Sequence, residues 1–136
     1  MLRFIKCICV RALVVGLTFL PQKVALATGD FTLSCRNITI TNGASLEAFC
    51  KTPNGQEIQT GINLNHHIVN INGQLGWAKQ GNFIASSREC VIRGNESVSI
   101  LDCKTVTING FETRSSLNLD ERIVNINGWL IYSDPN

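Results

Sequence analysis

Residues 68–75 read IVNINGQL, and residues 123–130 read IVNINGWL. The duplication extends well beyond these eight positions. GDF at 29–31 answers GNF at 81–83, CKT at 50–52 answers CKT at 103–105, and NG at 54–55 answers NG at 109–110. INLNHHIVNINGQL at 62–75 answers LNLDERIVNINGWL at 117–130. The spacing drifts from 52 to 55, so small insertions separate the copies. A half of about 50 residues buries little surface by itself, and two copies are too few for a solenoid. The chain is therefore expected to pack two related halves into one pseudo-twofold domain.

The local pattern indicates strands. Asn-Gly occurs at 42–43, 54–55, 72–73, 109–110 and 127–128. That dipeptide suits the two-residue type I′ turn, whose central residues both need positive φ. Apolar and β-branched segments flank the turns: ITIT at 38–41, GINL at 61–64, HIVNI at 67–71, VSIL at 98–101 and RIVNI at 122–126. Several alternate with period two, as half-buried strands do. No long segment carries a 3.6-residue apolar stripe. The fold class is all-β, a tandem repeat of short strands and hairpins, with short helical turns expected near 45–49, 65–67 or 120–122.

The first 27 residues read as a secretion signal. Arg3, Lys6 and Arg11 precede an apolar run, ALVVGLTFL at 12–20; Pro21 breaks it, and Ala25 and Ala27 give the small-x-small pattern of a cleavage site. The run is about half the length a membrane-spanning helix needs, so no membrane insertion is expected after removal. The domain then spans 28–136, with repeat one at about 29–79 and repeat two at about 80–136, exported to the periplasm or the cell exterior. The signal takes four of the twelve basic residues and none of the ten acidic ones, leaving the remainder formally at −2. No general basic field remains to attract nucleic acid. Four cysteines stay, Cys35, Cys50, Cys90 and Cys103, and an even number in a small exported chain suggests disulfides, with three pairings possible.

The ordered series of an aromatic start (Phe31, Phe83), Cys-Lys-Thr, I/L-N-L and IVNING followed by Leu resembles the cyanovirin-N family of lectins over nearly all of 29–136. The resemblance implies a pseudo-symmetric β body whose halves exchange strands. It implies binding of high-mannose oligosaccharides or glycoproteins, notably α1,2-linked mannose, as a monomer or a domain-swapped dimer and without a cofactor. It implies a first pocket of Gly29, Asp30, Leu33, Ser34, Lys51, Thr52, Asn125, Ile126, Asn127 and Gly128. It implies a second of Asn70, Asn72, Gly73, Gly81, Asn82, Ala85, Ser86, Lys104 and Thr105. The sequence departs from the family at acidic positions. Asn72 and Asn127 stand where the turn carries a carboxylate, and Val69 and Ala85 replace two more. A carboxylate accepts paired sugar hydroxyls strongly; Asn offers one acceptor and one donor group, and Val and Ala offer neither. Leu33 and Pro53 replace polar positions in the first pocket. Cys35 and Cys50 have the family spacing and are expected to pair. In repeat two the first family position is Ser87 and the cysteine has moved to Cys90. A three-residue shift along a regular strand moves about 10 Å and flips the face. A Cys90–Cys103 bond, favoured because a free thiol is unusual outside the cell, thus implies a changed hairpin register, placed around Gly94-Asn95.

Trp77 and Tyr132, repeat-related, match the family's buried aromatics. Trp129 follows Gly128 directly and would either pack on a neighbour or stack on a sugar face. His66-His67 suggests a metal or catalytic pair, but the repeat mates are Glu121 and Arg122 and no third ligand stands at a recognisable spacing, so no metal is expected. No nucleophile elbow surrounds a serine, and no carboxylate pair of the kind a glycosidase needs stands out. Asn37-Ile-Thr and Asn95-Glu-Ser are glycosylation sequons. The expected function is sugar recognition without bond cleavage. The alternative is the same fold with altered pockets, serving as a protein-binding or envelope-associated module.

Overall fold

A computed structural model describes residues 29–135; the expected signal at 1–27 lies outside them. Among the described residues, ten strands make four antiparallel sheets. β1 (Cys35–Thr41), β2 (Ser45–Lys51) and β3 (Glu57–Asn63) form one three-stranded sheet, and β6 (Ser87–Asn95), β7 (Val98–Val106) and β8 (Glu112–Asn118) form its counterpart. Two hairpins complete the set, β4 (Ile68–Ile71) with β5 (Gln74–Trp77) and β9 (Ile123–Ile126) with β10 (Trp129–Tyr132). Short 3-10 turns lie at Phe31–Ser34, Leu64–His66, Phe83–Ala85 and Leu119–Glu121.

The halves exchange hairpins. Strand β10 of repeat two packs on β3 of repeat one, where Leu130 N donates to Thr60 Oγ1 at 3.2 Å. Strand β5 packs on β8, where Leu75 N donates to Ser115 Oγ at 2.9 Å. One core runs through both halves, and its large members come in repeat-related pairs: Phe31 and Phe83, Leu46 and Leu101, Leu64 and Leu119, Ile68 and Ile123, Leu75 and Leu130. Each pair repeats the same inward position, so the duplicated sequence is a duplicated core.

Helical turns form at Leu64–His66 and Leu119–Glu121, close to two of the three places expected. The third, 45–49, is instead part of β2. Leu, Glu and Ala favour helix, but Leu46, Ala48 and Cys50 are buried and alternate with more exposed residues, so period two prevails over propensity.

The Asn-Gly dipeptides make two kinds of turn. Asn72-Gly73 (φ 50° and 90°) and Asn127-Gly128 (φ 55° and 94°) are left-handed at both residues and close two-residue hairpins, as the type I′ expectation requires. Asn42-Gly43 is left-handed too, although Ala44 lengthens that loop. At 54–55 and 109–110 only the glycine is left-handed. There Gly55 N donates to Thr52 O and Thr52 N to Gln56 O; Gly110 N donates to Thr107 O and Thr107 N to Phe111 O. These are three-residue loops with a left-handed glycine last, and Pro53 suits the first loop position because its ring fixes φ near −65°.

Those hydrogen bonds correct the repeat alignment. Thr52 corresponds to Thr107, so Lys51 corresponds to Val106 and Cys50 to Thr105. Strand pairing agrees, since Cys35 faces Cys50 in β1–β2 and Ser87 faces Thr105 in β6–β7. The second Cys-Lys-Thr is two residues out of register with the first. Disulfides join Cys35 to Cys50 and Cys90 to Cys103. No register change near Gly94-Asn95 is needed. A bulge breaks the register between Arg88 and Val91, so Glu89 and Cys90 both oppose Cys103; Glu89 is left-handed at φ 52°. The extra residue restores the face that a three-residue shift would have flipped. Repeat one carries the same bulge at Asn37 and Ile38, opposite Ala48. The second disulfide thus occupies the position that Ile38 and Ala48 fill with hydrocarbon in repeat one.

The drift in spacing has one location. Phe31 to Phe83 is 52 residues and Leu46 to Leu101 is 55, and the three extra residues lengthen the β6–β7 hairpin beyond its β1–β2 counterpart.

Candidate functional site

Each exchanged hairpin ends in a turn that lies against a loop of the opposite half, and an asparagine makes the connection. In the first junction Asn125 Nδ2 donates to Ser34 Oγ at 2.9 Å and to Lys51 O at 3.0 Å, while its Oδ1 accepts from Gly128 N at 2.8 Å. In the second Asn70 Nδ2 donates to Ser86 Oγ at 2.8 Å and to Val106 O at 3.0 Å, and its Oδ1 accepts from Gly73 N at 2.8 Å. The amides of both asparagines are thus committed within the protein. They hold three chain segments together and so shape each junction.

The turn glycines need both their φ and their missing side chain. A Cβ on Gly128 would come within 2.8 Å of Ile58 Cδ1 and 3.1 Å of Thr52 Cγ2; one on Gly73 would come within 2.8 Å of Thr113 Cγ2 and 3.1 Å of Thr107 Cγ2. The residues touched are again repeat mates.

In the first set the structure brings together Ser34, Lys51, Thr52, Asn125 and Gly128, with Asn127 exposed at the tip of the turn. Gly29 and Asp30 lead into the 31–34 turn. A Cβ on Gly29 would lie 2.1 Å from Asp120 O and 2.6 Å from Ile123 O, and Asp30 N donates to Asp120 O at 3.1 Å. Asp120 anchors this segment from below. Its buried carboxylate accepts from Thr32 N at 2.9 Å, Thr32 Oγ1 at 2.7 Å and Ser99 N at 2.9 Å. Beside Lys51, the hydrogen-bonded Arg36 guanidinium holds the Glu57 carboxyl below the usual carboxylate range.

In the second set Asn70, Gly73, Ser86 and Thr105 meet, but Thr105 is fully buried and its hydroxyl donates to Gly73 O at 2.6 Å. It supports the turn from beneath. Asn72 is exposed and its Oδ1 accepts from Ile108 N at 3.0 Å. Exposed Asn82 is tied by its backbone N to Ile68 O. Lys104 pairs with Glu89 at 3.2 Å on the bulge. The position equivalent to Thr52 is Thr107, which the sequence reading passed over because the two Cys-Lys-Thr triplets drew the alignment. The Asn-Gly dipeptides at 54 and 109 carried the signal for it, since they lie 55 apart and the triplets only 53.

A family model described as the CVNH domain matches residues 31–131. The chain belongs to the CVNH family. A curated cyanovirin-N homolog from Tuber borchii is 38% identical over 101 residues, covering 73% of this chain and 94% of that protein. The solved CVNH structure from the same fungus is 34% identical with a TM-score of 0.67, covering 76% of this chain and 99% of that one. The NMR structure of the Gibberella zeae CVNH protein is 28% identical with a TM-score of 0.70, covering 78% and 99%. Microvirin, solved in complex with mannobiose, is 26% identical with a TM-score of 0.66, covering 77% and 99%. The duplicated hairpins, exchanged between halves, are those of a CVNH body.

Other side chains have structural surroundings. His67 stacks on Tyr132 with ring centroids 4.2 Å apart, and Trp77 lies 5.8 Å from the same ring. Burial, with a smaller contribution from His66, lowers the His67 pKa from its ordinary value. Trp129 is 55% exposed beside the first turn.

Proposed function

We propose that this protein is a secreted, non-catalytic lectin that binds mannose-rich glycans, with α1,2-linked mannose as the preferred unit. The observation that carries this reading is the pair of asparagine-pinned Asn-Gly turns, each facing a loop of the other half. A type I′ turn leaves backbone N–H and C=O groups of fixed direction at the surface, suited to reading the paired hydroxyls of a pyranose. Around the first turn Lys51, Thr52, Asn127 and Ser34 would add side-chain donors and acceptors, with Gly29 and Asp30 closing one edge. Around the second turn Asn72, Asn82 and Ser86 would do so, with Thr107 in the place of Thr52 and Thr105 and Lys104 in support. Microvirin's mannobiose complex, in a related body, supports the sugar class. The leader sequence and the two disulfides support export to an oxidising compartment. Two sites on one body would raise avidity for branched glycans that reach both.

The test is an NMR titration of the isotope-labelled chain 28–136 with α1,2-mannobiose. Shifts confined to 125–128 with 51–52, or to 70–73 with 105–108, are the expected result and identify the occupied turn. Absence of any shift at millimolar sugar would reject the mannose assignment.

A further inference from the structure

The loop between β7 and β8 has no conformational need to be apolar. Its counterpart at 52–56 makes the same backbone hydrogen bonds with Pro53 at the place of Ile108 and Gln56 at the place of Phe111. Yet Ile108 is 85% exposed and Phe111 70% exposed. Ile71, which precedes the second turn, is 65% exposed. Loop and turn form one surface, because Ile108 N donates to Asn72 Oδ1 and Thr107 Cγ2 lies against Gly73. Large exposed apolar side chains normally occur scattered and singly; several gathered on one surface mark a contact site.

The polar side chains bonded to the loop are short and neutral, and the charged Glu112 next to Phe111 is paired with Arg88. Asn72 and Thr107 lie closest, and the position of Lys51 is taken by Val106. Val69 and Ala85 stand where the family resemblance implies acidic residues. Such a surface pairs few hydroxyls, and an unpaired hydroxyl pressed against it is costly. It favours a sugar with more hydrocarbon and fewer hydroxyls than mannose.

We propose that Phe111 and Ile108 set the specificity of the second turn, seating an uncharged pyranose that presents a methyl group, either N-acetyl or 6-deoxy. The inference rests on the lectin reading above and makes the two turns chemically unequal. The Phe111 ring covers the C–H face of the pyranose, Ile108 meets the methyl, and Asn72 Nδ2 donates to a hydroxyl or to the acetyl carbonyl.

The experiment is an NMR titration of the chain 28–136 with N-acetylglucosamine, free fucose and free mannose, repeated on Phe111→Gln and Gln56→Phe. Each substitution installs the residue that the other loop already carries, so folding is not at risk. At least one methyl-bearing sugar should bind at 70–73 and 107–111 about fourfold more tightly than free mannose, the value of roughly one buried methyl. Whichever of the two binds identifies the source of the methyl. Phe111→Gln should weaken that binding roughly three- to tenfold, as expected for loss of an aromatic contact, and leave 125–128 unchanged. Gln56→Phe should raise affinity for the same sugar at the first turn. Unchanged binding in Phe111→Gln would overturn this inference while leaving the lectin reading intact. Failure of every sugar, α1,2-mannobiose included, to shift either turn would overturn both. A wild-type dimer in sedimentation that Phe111→Gln dissociates would make the patch a self-association surface and overturn it as well.

Discussion

Replacing Asn125 with alanine tests how the first junction is held. The side chain makes three hydrogen bonds, to Gly128 N, Ser34 Oγ and Lys51 O. Lys51 and Ser34 retain some access to water, so their groups find other partners and the loss there is small. Gly128 is buried in the turn, and its N–H would be left without an acceptor at a cost of about 1–3 kcal/mol. The other two bonds add about 0.5 kcal/mol each, the low end of the usual range. The expected destabilisation is therefore about 2–4 kcal/mol, or a fall in Tm of roughly 10–20 °C for a domain of this size. Urea unfolding of the disulfide-intact chain 28–136 measures it, with the midpoint moving at unchanged slope. Sugar-induced shifts at 125–128 should vanish while those at 70–73 persist. A loss below about 0.5 kcal/mol would refute the reasoning, because the hairpin would then be held by Leu130 on β3 alone and the asparagine would be incidental.

Gly128→Ala introduces a left-handed alanine against Ile58 and Thr52, and denaturation should show a loss of about 1–3 kcal/mol. Replacing Cys90 and Cys103 with Ile and Ala copies the repeat-one pair Ile38 and Ala48. The chain should still fold, less stable by roughly 2 kcal/mol, since new packing offsets part of a cross-link worth about 3 kcal/mol; circular dichroism melts would show this. Burial lowers the His67 pKa in the fold, so between its unfolded and folded values the unfolded chain binds more protons. Stability is then full above the unfolded value of about 6.5 and declines as pH falls below it. Melts across pH 8 to 5 should show that decline, and His67→Phe, which keeps a ring on Tyr132, should remove it. If the leader is cleaved as proposed, N-terminal sequencing of the protein expressed from the full chain should begin at Thr28, and a start at Met1 would refute the signal reading.

The hairpins were legible because IVNING joins a period-two apolar run to a dipeptide that adopts positive φ, two signals that agree. β8 was not. ETRSSLN has no apolar face, and it forms a strand because β7 offers it an unpaired edge. The bulge at Glu89 was equally hidden, since nothing in Arg-Glu-Cys marks one residue to be looped out. Its repeat mate Asn37 is the better clue, as asparagine tolerates the left-handed region. The candidate site was legible at its turns and misaligned at its loops. Cys-Lys-Thr repeats as letters, while the hydrogen bonds that define the loop repeat two residues further on. The apolar rim at Ile108 and Phe111 escaped notice because a resemblance directs attention to matched positions, and these residues are informative through their difference from Pro53 and Gln56.

Because each hairpin crosses to the other half, each junction is composite in ancestry. One copy of the repeat supplies the turn and the other supplies the loop beneath it. A single ancestral copy could not have built such a junction alone; two chains would have had to embrace, each lending its hairpin. Joining the two copies in one chain makes that handshake intramolecular and leaves its two grips free to differ. Gln74 against Trp129, Pro53 against Ile108 and Gln56 against Phe111 are the substitutions such freedom permits. A symmetric pair of identical chains would have been forced to change both grips together.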